Sequence, residues 1–306
     1  MLNGSNQITG SHLGFGCAYL AKEISYSSTN KLIGTAIDKG IRHFDVAPSY
    51  GRGTAEHTLG KALKNHRNEV TIATKVGIAK IVDSDLKLIT RSLLSPVRSF
   101  LRSKKRSLPT NTSKSKTNFE VNFVENSIQE SLFNLGTDYL DILFLHMVRL
   151  EDINDDLLIY LEKIKSSGVA NKIGIATTKE YSIEINNKFP KFFDVNQIAW
   201  NLDDGIINKD EYFTITHGII ANTFNKLRLS QEKNPDHYKL LSAQLDVDLF
   251  DKEVLSSLLI GVGVIMNPDG AVLLATRNKE RLKTNIEAAL DTKNLNLASK
   301  FFDLIN

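Results

Sequence analysis

Four polar residues stand where apolar runs end. Asp45 closes the run Gly40-Ile-Arg-His-Phe-Asp45, and Tyr50 follows five positions later in Val46-Ala-Pro-Ser-Tyr50-Gly51. Lys75 ends Thr71-Ile-Ala-Thr-Lys75, and His146 ends Asp138-Tyr-Leu-Asp-Ile-Leu-Phe-Leu-His146. Together they could move a proton to and from an oxygen. A phenol with a pKa of about 10 is a poor acid at neutral pH. A neighbouring ammonium, Lys75, lowers that value by stabilising the phenolate. Asp45 would hold and balance the lysine. His146 could orient a carbonyl oxygen by a hydrogen bond, with Tyr50 as general acid in one direction and base in the other.

Residues so far apart in sequence converge only if a fold brings the ends of several strands together. The chain alternates short apolar runs with segments of helical period. Strands are expected at 13–17, 41–46, 69–75, 140–145, 172–176, 194–198, 218–222 and 271–275. Helices are expected at 29–39, 54–64, 122–135, 155–167, 180–188, 251–266 and 278–290, with a short helical segment around 209–216. Gly40, Gly136 and Gly168 supply helix stops. Eight βα-type units imply an α/β fold, a single-domain (β/α)8 TIM barrel over residues 1–306. Two stretches break the rhythm: 80–119 after the third strand, a basic insertion, and 224–250, expected as a loop after the seventh. Both fall on βα connections, the active-site face of such a barrel.

These residues resemble the aldo-keto reductase superfamily over most of the chain. Asp45, Tyr50, Lys75 and His146 match that family's catalytic tetrad. The flanks agree as well, and Ala47-Pro48-x-Tyr50-Gly51-x-Gly53-x-x-Glu56-x-x-x-Gly60 looks nearer the aldose dehydrogenase branch than the aldose reductase branch. The resemblance implies a nicotinamide cofactor, NADP(H) in preference to NAD(H), and a small carbonyl or sugar substrate. It places Gly16, Cys17 and Ala18 near the cofactor and gives Gln197 to the carboxamide. Thr177 and Asn222 stand where many members have an asparagine and a stacking tyrosine, with Phe224 as a nearby ring. In Ala275-Thr276-Arg277-Asn278-Lys279-Glu280-Arg281, a strand feeds a helix N-terminus, a good anion site. There Thr276, Arg277 and Arg281 are expected to hold a 2′-phosphate and Asn285 to reach the adenine.

Composition narrows the function classes. The chain has 306 residues and 42% hydrophobic content, enough for a substantial core. Its one cysteine, Cys17, excludes an internal disulfide framework and a cysteine-rich zinc site, and no histidine has a metal-ligand partner at convincing spacing. The longest apolar stretch, Val254–Met266, has 13 residues, short of the roughly 20 a membrane helix needs. No secretory signal stands at the N-terminus, so a cytoplasmic location is expected. The net charge of +3 conceals an asymmetry: residues 87–116 carry nine basic side chains and no acidic one, which leaves −6 elsewhere. That segment is read as a solvated helix and loop, as a lid for an anionic substrate, or as a surface for an acidic partner. No nucleic acid is expected as a partner. A second function class stays open, a cofactor-sensing binding or regulatory protein on the same barrel.

Overall fold

The computed structural model describes residues 12–20, 26–79, 117–207 and 212–305. Eight parallel strands close into a barrel in sequence order. They are β1 (Leu13–Gly16), β2 (His43–Asp45), β3 (Thr71–Val76), β4 (Leu140–His146), β5 (Ala170–Ala176), β6 (Val195–Ala199), β7 (Phe213–His217) and β8 (Ala271–Leu274). The helices described are α1 (Tyr26–Asp38), α2 (Ala55–Leu63), α3 (Val121–Leu135), α4 (Asp155–Ser166) and α5 (Lys179–Lys188), followed by α6 (Ile219–Lys233), α7 (Pro235–Leu245), α8 (Lys252–Ile265), α9 (Lys279–Leu290) and α10 (Thr292–Ile305).

The core has two layers and a satellite. Inside the bore, Ala73, Ile142, Phe144, Ala176, Val195, Ile215, Ala271 and Leu273 fill the cylinder, so it is packed rather than hollow. Outside, the alternate strand residues meet the apolar helix faces, for example Leu143 and Ile173 with Leu157 and Leu161. A separate cluster joins α6, α7, α8 and α10 around Leu258, Leu259 and Phe301.

Local chemistry sets the element ends. Gly136 closes α3 in the left-handed conformation at φ 65°, with its N–H on Leu132 and Phe133 carbonyls. Asn154, Asp251 and Asn278 cap α4, α8 and α9 by accepting N–H groups of the first turn. Gly60 lies where α2 meets the end of α3. A Cβ there would stand 2.7 Å from Leu135 Cα, which explains the glycine four residues after Glu56.

Three expectations about the seventh unit are corrected. The expected helical segment around 209–216 is a strand from Phe213, with 208–211 outside the described residues. The expected strand 218–222 begins α6. Ile219, Thr223 and Leu227 are buried at helical spacing, and Gly218 at φ 83° turns the chain out of β7. The expected 224–250 loop is also mostly helix, the rest of α6 followed by α7. Pro235 at the first turn of α7 suits a helix start, where a missing N–H costs nothing. The C-terminal helix α10 carries no expectation from sequence; it buries Ala298 and Phe301. The basic insertion lies almost wholly outside the described residues, which resume at Thr117, paired with Ile78.

Candidate active site

Strand register carries the four polar residues to one place. Side chains alternate across a strand, so every second residue faces the bore. Asp45 pairs with Ala73, and Lys75 is the next inward residue on β3. Lys75 pairs with Phe144, and His146 is the next inward residue on β4. His146 pairs with Ala176, Ala176 with Gln197, and Gln197 with Ile215, after which His217 is the next inward residue on β7. The polar groups therefore rise as a spiral above an apolar floor, at the C-terminal mouth.

Tyr50 arrives differently. It follows β2 in a short 3-10 turn, where its N–H donates to Ala47 O at 3.0 Å. Gly51, Arg52 and Gly53 all have positive φ (57°, 63° and 86°), a left-handed corner that two glycines make affordable. The Thr54 hydroxyl donates back to Gly51 O at 3.0 Å. The corner returns Tyr50 over the bore, where its ring meets His146 edge-on at 6.3 Å between centroids.

Lys75 is only 1% exposed and Asp45 3%. The ammonium donates to both carboxylate oxygens at 2.6 Å and to Val46 O at 3.2 Å. It also lies 5.0 Å from the centre of the Tyr50 ring, close enough for its charge to act on the phenol. Burial pulls the Lys75 pKa down, but the hydrogen-bonded Asp45 carboxylate, helped by Tyr50, wins and holds it above its ordinary value. The same burial pushes the Tyr50 phenol up, against the pull of Lys75. The expected lowering of Tyr50 is thus reversed in direction: burial outweighs the lysine whose field should stabilise a phenolate, and Asp45 adds a smaller push the same way. His146 is lowered to about 3, first by burial and then by Lys75, so its imidazole is neutral across the physiological range.

Three further residues support the site. Glu56 is buried and accepts from the Thr74 hydroxyl at 2.7 Å, which pins β3 to α2 one residue before Lys75. Met147 adopts φ 57°, donates its N–H to Ala176 O at 2.7 Å and leaves its side chain exposed. His217 stands at the end of β7, open to solvent yet within electrostatic reach of Asp45, Lys75 and His146. Its ring still loses part of its hydration beside the packed mouth, which lowers its pKa, with Asp45 opposing. The alternation Phe213, Ile215, His217 was the signal that could have found it.

The positions expected around a nicotinamide cofactor fall into two groups. Gly16 and Ala18 are half-buried after β1, while Cys17 is buried with its thiol turned to Phe15 O. The Thr177 hydroxyl donates to Val148 O at 2.9 Å, so it holds the loop beyond His146. Asn222 does not end a strand. It sits exposed in the first turn of α6, and His217 occupies the strand-end place expected for it. Phe224 packs into the cluster around α6 and α8, away from the mouth. Gln197 donates its amide to Asp45 Oδ2 at 2.7 Å.

At the second group, Thr276 and Asn285 are buried and Arg277 and Arg281 exposed. The Asn278 side chain already accepts the N–H groups of Glu280 and Arg281 at 2.8 and 3.0 Å. An anion here would meet guanidinium groups more than bare helix N–H groups. Cationic side chains at β8–α9 and an amide acceptor in the bore together fit a nicotinamide dinucleotide. Among the described residues, no group of three or more His, Cys, Asp or Glu could hold a metal ion. Among them too, no helix is long and apolar enough to cross a membrane.

Residues 12–212 match the profile of the Aldo/keto reductase family. An uncharacterized oxidoreductase of Bacillus subtilis (strain 168), YqkF, is 27% identical over 176 residues, 58% of this chain and 48% of that protein. A D-threo-aldose 1-dehydrogenase of Pseudomonas sp is 30% identical over 172 residues, 54% of this chain and 49% of that protein. The chain thus spans about half the length of these curated relatives. An aldo-keto reductase from Bacillus halodurans, solved in its holo form, shares the barrel with a TM-score of 0.65 at 19% identity, covering 96% of this chain and 95% of that one. With two thirds of its length inside the family profile, the chain belongs to the aldo/keto reductase family.

Proposed function

We propose that this protein is an NAD(P)(H)-dependent oxidoreductase that interconverts a carbonyl and an alcohol. The observation that carries the reading is the convergence of Tyr50, Lys75, Asp45 and His146 at one mouth of the barrel. A bound nicotinamide would exchange hydride with the substrate carbon. The chain's own groups manage the oxygen. Neutral His146 donates one N–H to it and orients it. Tyr50 gives its phenolic proton to that oxygen in reduction and takes one back in oxidation. Lys75 stabilises the phenolate that results, and Asp45 keeps the lysine charged in a buried place.

NADP(H) is preferred over NAD(H) because Arg277 and Arg281 stand exposed beside the first turn of α9 and could meet a 2′-phosphate. Sugars are the favoured substrate class, in keeping with the similarity to a D-threo-aldose 1-dehydrogenase. The nine basic residues at 87–116 favour an anionic sugar derivative. A cytoplasmic setting suits such chemistry.

The test is turnover of neutral and anionic sugars with each cofactor, followed by nicotinamide absorbance. Tyr50→Phe should lower kcat by about 10²–10⁴-fold while cofactor binding persists. A Tyr50→Phe protein with full turnover would overturn the assignment. Cofactor binding with no turnover on any carbonyl or sugar would favour a binding or regulatory role.

A further inference from the structure

Gln197 and Asp45 lie 152 positions apart, yet the amide nitrogen donates to Asp45 Oδ2 at 2.7 Å with both residues 3% exposed. A carboxylate can only accept, so the group facing it must be the NH2. The amide orientation is fixed by that chemistry. Its oxygen is therefore turned away from Asp45. No described residue donates to that oxygen, and it is not among the polar atoms sealed from solvent without a partner, such as His43 Nε2. An acceptor is thus offered to whatever enters the mouth, and its own N–H group is committed to the residue that balances Lys75.

We propose that Gln197 is a positioning residue that couples capture of a hydrogen-bond donor at the mouth, such as a primary carboxamide, to the charge balance of the Asp45–Lys75 pair. A donor on the amide oxygen polarises the amide, and the N–H bond to Asp45 strengthens, since hydrogen bonds in a chain reinforce one another. Asp45 then shares more of its charge with Gln197 and less with Lys75. More of the ammonium's field reaches Tyr50, and its phenol becomes the stronger acid. Occupancy of the mouth would thus undo the opposition between Asp45 and Lys75. The titratable groups facing Asp45 are Cys17 after β1, His43 on its own strand, Tyr50, Lys75, His146 and His217. This inference rests on the proposed nicotinamide-binding function.

The test titrates the Tyr50 phenol by ultraviolet difference absorbance, with Tyr50→Phe subtracted as background. In the unsubstituted protein, NADP+ should lower the ionisation pH by at least about half a unit, whereas adenosine 2′,5′-bisphosphate, which lacks the carboxamide, should not. In Gln197→Met the NADP+ effect should shrink to the direct pull of the cationic ring, and the free protein should ionise at higher pH than the unsubstituted one. NADP+ affinity should fall about tenfold, the loss of one hydrogen bond, with the bisphosphate unaffected. Gln197→Glu, which keeps acceptor oxygens but sets a second carboxylate beside Asp45, should ionise higher still.

A Gln197→Met protein with unchanged phenol titration, free and bound, would overturn the coupling. An equal NADP+ shift in Gln197→Met and the unsubstituted protein would overturn it too. If the unsubstituted protein binds neither NADP+ nor NAD+, the underlying function fails instead, which is a different result.

Discussion

The Asp45→Asn substitution probes the pair on which the site is built. Asp45 and Lys75 are almost wholly buried and meet at 2.6 Å. Removing the carboxylate leaves the ammonium with its hydrogen bond to Val46 O, beside the Tyr50 ring. Breaking a buried ion pair from one side costs about 3–5 kcal/mol. The pH dependence should also change sign. In the unsubstituted protein the folded-state pKa of Lys75 is raised, so its stabilisation is complete below the unfolded value of about 10.4 and fades as pH climbs past the folded value. With Asp45 replaced, burial acts with little opposition and the folded pKa drops below the unfolded one. Stability should then rise with pH through the interval between the two, by up to about 1.4 kcal/mol per unit. Trp200, the one tryptophan, is 1% exposed just after β6 and reports unfolding by fluorescence. Urea transitions of both proteins near pH 7 and about pH 9.5 measure the difference. Adding Lys75→Met to Asp45→Asn should recover most of the loss, because the stranded charge is gone. A loss below about 1 kcal/mol with the same pH slope as the parent would refute a dry, charged pair.

Other outcomes follow from single observations. Acidification should destabilise the protein between about pH 6.5 and the folded His146 value of about 3, because the unfolded histidine binds the proton first. His146→Gln should flatten that acid limb in urea unfolding. His217→Ala should change KM or kcat in steady-state assays and leave the thermal midpoint near the parent's, because the side chain is exposed. Arg277→Ala with Arg281→Ala should raise KM for NADP(H) far more than for NAD(H). Gly60→Ala should destabilise by about 1–3 kcal/mol or more, since the added Cβ meets the Leu135 main chain and backbone cannot step aside cheaply.

The barrel and its four polar groups were legible because both rest on local patterns. A period of two places the last inward residue of a strand at the mouth, so Asp45, Lys75 and His146 announce themselves as polar residues closing apolar runs. The seventh unit was less legible. Ile219 and Ile220 form a short apolar run of the kind strands use, and their helical partners Thr223 and Leu227 lie further on. His217 was lost with that misplacement. Two other features leave no local trace. The Gln197–Asp45 bond joins residues 152 positions apart across a closed cylinder. The upward direction at Tyr50 depends on how much water the finished fold removes, which no spacing encodes.

β2 and β6 stand on opposite sides of an eight-stranded ring. The bond from Gln197 to Asp45 is therefore a strut across the diameter, and Lys75 braces the same carboxylate from the adjoining β3. A cylinder held this way resists becoming oval along that diameter, because lengthening it must stretch a hydrogen bond to a charged group. The carboxylate that balances the buried lysine is in this sense also the anchor by which opposite walls of the bore are tied together.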